Sequence, residues 1–339
     1  MSMGPESLKD EPMQGSDAKT EMNETITEKI NEETMSFIGQ VRGRKRKMAE
    51  VFSLGAHIGR RKILQGLIFS LFKIAAVING MALVVIVYFL LAKGWRAITW
   101  TFLTQAPRDS MTKGGILPCI VGTVVLSLGA IAVALPIGVA SAVYLNEYAR
   151  PGKVIRIIRL GINNLAGVPS VVFGLFGLAF FVVYLKMGVS ILAGSLTLGA
   201  MTLPVIIGSA EEALRTVPDT YREASLGLGA TKWQTIYRVV LPAALPGILT
   251  GAILGISRAA GETAPIMFTA AVFFTPTLPD SVFDEIMALP YHIYVLATAG
   301  TDIEATRHLQ YGTALVLIVL VFGLNLVAVI YRSRLRKRL

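Results

Sequence analysis

Residues 219–242 read DTYREASLGLGATKWQTIYRVVLP, a polar, helix-compatible patch between two long apolar runs. It is too short to be a domain and too charged to lie in lipid. It follows Pro218, and proline suits a first helical position, so a helix is predicted to open here and to carry Glu223, Ala224 and Ser225. Gly229 marks a turn, and Leu241-Pro242 opens the next hydrophobic run. Small residues at 224, 225, 227, 229 and 230 let such a helix pair seat deeply in a partner's groove. The partner is absent from this chain.

On either side of this patch the chain is apolar. Of 339 residues, 53% are hydrophobic and 16% charged, with a mean hydropathy of +0.61. Apolar runs of 18 or more residues argue for membrane-spanning helices. Six are predicted, at about 68–92, 116–144, 160–185, 191–210, 241–262 and 312–331. The fold class is therefore an all-α integral membrane protein with the bilayer as its principal solvent.

The net charge of +10 does not point to nucleic acid, because Lys and Arg flank the spans rather than gathering on one soluble face. With the amino terminus placed inside, the inner segments hold 21 of these cations and the outer loops 6. That excess predicts both termini on the cytoplasmic side. Cys119 is the single cysteine, which excludes an intramolecular disulfide. His57, His292 and His308 lack metal-ligand spacing. No catalytic residue, metal site or cofactor is assigned.

Residues 1–40 are predicted to be a disordered acidic cytoplasmic tail, since low hydrophobicity with excess charge cannot support a core. No cleavable signal peptide is read at the start. Residues 41–66 form a basic juxtamembrane segment suited to anionic lipid. A transmembrane domain is expected over 67–335, with a loop at 211–240 and an outer segment at 275–311. Within the outer segment an amphipathic stretch is expected around 281–298. In the third span, Asn163, Asn164 and Ser170 read either as packing residues or as lining a path. Gly174 and Gly177 there have the small-residue spacing of close helix contacts.

Apolar sequence runs on from 241 to about 274. One helix of that length would measure roughly 50 Å, against about 30 Å of hydrocarbon. The stretch must tilt strongly, break or fold back, and Gly261 and Pro265 supply a break. Near its end lie Arg258 and Glu262, four residues apart and able to pair. Charges at bilayer depth cost on the order of 3 kcal/mol each. Either they neutralise one another, or Arg258 offers a planar charged fork to an oxyanion while Glu262 holds it beforehand. Ser257 and Thr263 supply candidate hydroxyl donors.

Glu223-Ala224-Ser225, then Gly229, then Val239-Val240-Leu241-Pro242 resembles the cytoplasmic signature of binding-protein-dependent ABC importer permeases. That pattern is Glu-Ala-Ala, three residues, Gly, nine residues, Ile-x-Leu-Pro. Ser225 and Val239 depart from it conservatively. LNEYARPGK (145–153), NNLAGVPSVVFGLFGLAFFV (163–182), SRAAGETAPIMFTA (257–270) and EIMALPYHIYVLAT (285–298) are similar to the PstA type of phosphate permease subunit. The resemblance covers roughly 65–335.

It implies a type I ABC importer permease fold in the cytoplasmic membrane, translocating inorganic phosphate. It further implies two ATP-binding subunits, a sister permease of PstC type and an extracytoplasmic phosphate-binding protein. Glu223, Ala224, Ser225, Gly229, Leu241 and Pro242 would couple to the ATPase, and Arg258, Glu262 and Thr263 would line the substrate path. No Gly-x-x-x-x-Gly-Lys-Ser/Thr stretch is present, so ATP chemistry is assigned to another chain. The alternatives are a permease for sulfate, molybdate or phosphonate, and a non-transporting membrane sensor or scaffold. A secondary transporter fits less well, for want of an internal repeat.

Overall fold

A computed structural model describes residues 17–109, 111–299 and 303–336, without the side chains of 17–33, 47–64, 303–305 and 336. Two compact units divide after Val84. The first consists of helix α1, Asp17–Gly94, as far as Val84. Its described side chains, at 34–46 and 65–84, are all exposed. Of the tail expected at 1–40, residues 1–16 lie outside the described set, and residues 17–40 have helical backbone. Low hydrophobicity denies this stretch a core to pack into, yet its Glu, Lys, Met and Ala residues are good helix formers.

The second unit holds the bundle. After α1 come a short helix α2 (Trp100–Thr104) and a two-stranded hairpin, β1 (Pro107–Arg108) against β2 (Lys113–Gly114). Helix α3 (Leu117–Val143) continues through a π-helical turn at Tyr144–Tyr148, and α4 spans Lys153–Ala166. Helix α5 (Ser170–Gly177) runs on as π-helix to Tyr184, and α6 spans Ile191–Arg215. A short pair follows, α7 (Asp219–Gly227) and α8 (Lys232–Thr235), then a π-turn at Ile236–Val240 and α9 (Leu241–Gly261). The chain closes with α10 (Ala264–Thr269), α11 (Leu289–Thr298) and α12 (Ile303–Arg336).

Among the described residues, five helices are long and apolar enough to cross a bilayer, and a sixth crossing depends on a bent pair. The predicted span 160–185 is that pair: α4 and α5 meet at 100°. The cause is local. Pro169 disfavours helix at Val168, and Gly167 closes α4 by donating its amide to the Asn164 carbonyl. Helix α4 itself bears Lys153, Arg156 and Arg159 and is mostly exposed, so its apolar face is a stripe rather than a full lipid-facing surface.

Two other boundaries are corrected. The span expected at 241–262 begins at Lys232, because helical backbone passes unbroken through Leu241-Pro242 to Gly261. Pro242 has no N–H to offer the preceding turn, and the π-turn at Ile236–Val240 absorbs the mismatch. Helix α6 extends to Arg215, so the loop expected at 211–240 reduces to the residues around α7. Pro218 caps α7 in extended conformation rather than starting it. The amphipathic stretch expected at 281–298 is helical only from Leu289; Pro276 and Pro279 sit in the irregular part, where Ala271 bridges to Ile286.

The core lies where α3, α5, α6, α9 and α10 meet, around Leu126, Phe173, Leu198, Met201, Ala259 and Ile266. Small residues make the close approaches. A Cβ on Gly177 would strike the Thr197 hydroxyl, and one on Gly122 would strike the Met287 carbonyl. A second cluster of Ala142, Ala213, Leu214, Val240, Ala244 and Ile248 joins the ends of α3 and α6 to the start of α9. That end of the bundle carries α7 and α8.

Candidate functional site

Helix α7 ends in a hydrogen-bonded reversal dictated by Gly229. Its φ of +83° is a left-handed conformation. The Gly229 amide donates to the Leu226 carbonyl and the Ala230 amide to that of Ser225, which together form a Schellman cap. Thr231 and Gln234 then cap α8 reciprocally, each side chain accepting from the other's backbone amide. Ser225 and Thr235 hydroxyls meet at 2.9 Å and tie the two helices together. The pair is a rigid unit fixed by its own sequence.

Arg222 fixes that unit to the bundle. Its Nη2 donates to Glu147 Oε1 at 2.8 Å and its Nε to Glu147 Oε2 at 3.3 Å. The same guanidinium donates to the Val217 and Leu214 carbonyls at 2.8 and 3.0 Å, capping the end of α6. Hydrogen bonding to Glu147, foremost, raises the Arg222 pKa above its already high value. Lys232 adds a cation–π contact, its Nζ 4.9 Å from the Tyr148 ring centre. Glu147 and Tyr148 both belong to the π-turn that ends α3. In the sequence Arg222 and Lys232 are visible only among the inner cations, since a partner 75 residues away leaves no local signal.

Of the residues singled out in the signature, Glu223 and Ala224 are exposed, Ser225 makes the bond to α8, and Gly229 makes the turn. Leu241 and Pro242 lie inside the long helix rather than at its opening. Beside Glu223, the pair presents Tyr221, Leu226, Leu228 and Trp233, with Leu228 90% exposed. The pair thus holds several apolar side chains open on a rigid, capped element.

Arg258 and Glu262 lie toward the opposite end of α9. Arg258 Nε is 3.6 Å from Glu262 Oε1, an ion-pair distance too long for a hydrogen bond. The helix ends at Gly261; Glu262 is extended, and Thr263 precedes α10. The break predicted near Gly261 and Pro265 falls between these two helices. Ser257 does not join the group: its hydroxyl donates to Asn325 Oδ1 of α12 at 2.7 Å, because adjacent helical residues point about 100° apart. Arg258 and Glu262 are both partly accessible, at 36% and 19%. Asn163 faces a polar cavity beside α6, Asn164 is exposed, and Ser170 is half-buried at the head of α5.

An apolar helical bundle with a charged, accessible pair in one span and an anchored helix pair at one end defines a multi-pass permease of the cytoplasmic membrane. The chain belongs to the family of binding-protein-dependent transport system inner membrane components, which matches residues 134–339. It is 37% identical over 279 residues to a phosphate transport system permease protein, PstA 1, of Mycobacterium tuberculosis strain H37Rv, covering 80% of this chain and 89% of that one. Over 285 residues it is 37% identical to the PstA protein of Mycobacterium leprae, covering 82% and 92%. A probable ABC transporter permease of Bacillus subtilis, YqgI, is 34% identical over 276 residues, covering 78% and 94%. In fold, it is similar to a chain of the inward-facing MetNI methionine ABC transporter, with a TM-score of 0.50 at 21% identity, covering 65% of this chain and 94% of that one.

Proposed function

We propose that this chain is the phosphate-conducting permease subunit of an ATP-driven importer, with both termini cytoplasmic and α7–α8 docking on a separate ATPase. The observation that carries the coupling role is the anchoring of an exposed apolar helix pair to the ends of both α3 and α6 through Arg222. A push on α7 reaches two spans through side chains already in contact. The choice of phosphate rests on the names of the mycobacterial relatives, since one guanidinium does not select among oxyanions by charge.

In this reading Arg258 meets the anion in transit, with Glu262 as its partner between passages and Thr263 as a nearby hydroxyl. Two ATP-binding subunits, a PstC-type sister permease and an extracytoplasmic phosphate-binding protein complete the assembly. The test is uptake of labelled phosphate by the assembled complex in proteoliposomes with ATP inside the facing compartment. Arg258→Gln should cut uptake at least tenfold while leaving assembly intact. Full-rate uptake by that variant removes Arg258 from the path. Sulfate or molybdate competing as well as unlabelled phosphate reassigns the substrate to another oxyanion.

A further inference from the structure

The geometry points to a second oxyanion-binding site, at the α7–α8 end of the bundle, built from Arg159 of α4 and Arg215 of α6. Arg159 Nη2 lies 2.6 Å and Arg215 Nη2 lies 3.1 Å from the same oxygen, Oε1 of Glu211. Two permanent cations therefore share one carboxylate oxygen, and the group carries a surplus positive charge. Each guanidinium has five N–H donors. Arg159 Nη2 also donates to the Leu145 carbonyl at 3.1 Å, while its Nε is buried with no hydrogen-bond partner.

Beside these groups is a cavity of 270 Å³, lined also by Asn163 and Gly208. Above Gly208 there is open space, since a Cβ there would meet nothing within 4 Å. An open polar cavity of this size beside two guanidinium groups fits a tetrahedral oxyanion, held by charge-assisted bonds from the accessible ends of both arginines and an amide from Asn163. Glu211 competes with that ligand for the same donors.

This site is not the one around Arg258. Ala213 of α6 packs against Gly247 of α9, and Arg258 lies eleven residues farther along α9, roughly 16 Å by helical rise. The site also touches the coupling anchor. Arg159 holds the carbonyl of Leu145, two residues before Glu147, in the π-turn that grips Arg222. Inorganic phosphate and the phosphate of a lipid headgroup share the required chemistry. The inference does not rest on the transport reading, since binding is measured without transport.

The experiment uses the full chain in phosphatidylcholine nanodiscs and equilibrium binding of radiolabelled inorganic phosphate. It is performed on the Arg258→Gln background so that Arg258 contributes nothing. Saturable binding should persist there, and Arg215→Gln should weaken it at least tenfold. Glu211→Gln should tighten it several-fold by removing the competing carboxylate, a sign that loss of a structural ion pair does not give. Because Arg159→Gln alone leaves Arg215 neutralised by Glu211, Arg159→Gln/Glu211→Gln serves as the second variant and should bind more weakly than Glu211→Gln. In parallel, nanodiscs containing phosphatidylglycerol are scored for lipid retained through delipidation. The same pattern of variants in retained lipid, without phosphate binding, keeps the site and assigns its ligand as a lipid headgroup. If the three variants bind phosphate and retain lipid like their parent, the site does not exist.

Discussion

Arg222 and Glu147 form a two-pronged ion pair, at 2.8 and 3.3 Å, between helix α7 and the π-turn that ends α3. Their side chains are 18% and 8% exposed. Removing one partner of a largely buried pair strands the other, at a cost on the order of 3–5 kcal/mol, whereas an apolar replacement of both is often near neutral. Arg222→Met and Glu147→Leu should therefore each lower the thermal stability of the purified chain, and the double substitution should recover most of the loss. Stability losses that simply add would mean that the two side chains do not depend on one another.

Gly229 gives a cleaner test of local design. Its φ is +83°, and a Cβ there meets no atom within 4 Å, so a substitution acts through backbone conformation alone. A left-handed residue with a side chain costs about 1–2 kcal/mol, and Asn tolerates that region better than Ala. Gly229→Ala should increase proteolytic nicking around 226–232, and Gly229→Asn should do so less. Equal nicking by both variants would remove the conformational explanation.

His292 sits in α11, 4% exposed, with Nδ1 unpartnered. Burial pushes its pKa down from 6.5 to about 4. The imidazole is neutral in the fold, so nothing is gained or lost above pH 6.5. As pH falls from 6.5 towards 4 the unfolded chain takes up a proton that the folded chain refuses, and stability falls. At 1.36 kcal/mol per unit, the loss is on the order of 3 kcal/mol at the bottom of that window. Thermal melts at pH 7.5 and 5 should show a larger acid-induced drop for the native chain than for His292→Gln. Parallel drops would place the acid sensitivity elsewhere.

Five of the six spans were legible because their signal is compositional: an apolar run of that length forms a long helix unless a local breaker interrupts it, as Pro169 does in the sixth. The break after Gly261 was legible from Gly261 and Pro265, in a run too long for one upright span. Boundaries were not, and proline is the reason. Pro169 does break its helix, at 100°, while Pro136, Pro204 and Pro246 sit inside continuous helices. Sequence cannot rank these, because what decides is whether the surrounding helices re-satisfy the carbonyl that each proline leaves without its amide partner. The turn at Gly229 was legible because its cause is local, a left-handed φ of +83°. Arg222, Arg159 and Arg215 were counted only as charges, since each takes its meaning from a residue on another helix or from a cavity between helices.

Leu228 offers the sharpest separation of folding from docking. It is 90% exposed on the capped turn between α7 and α8 and contributes only its backbone amide, which donates to the Ala224 carbonyl. Leu228→Asp should leave insertion and thermal stability of the isolated chain unchanged. If the surface seats in a partner ATPase, losing one buried leucine removes about 1.5–3 kcal/mol of apolar burial, which is about 10- to 100-fold in Kd. Glu223→Lys reverses a charge on the same exposed helix and should weaken association as well, but more so at low salt, where surface charges are least screened. Co-purification and binding of the ATPase subunit to each variant, at two ionic strengths, measures both. Association unchanged in both variants would mean that α7–α8 is not the surface through which ATP hydrolysis reaches this chain.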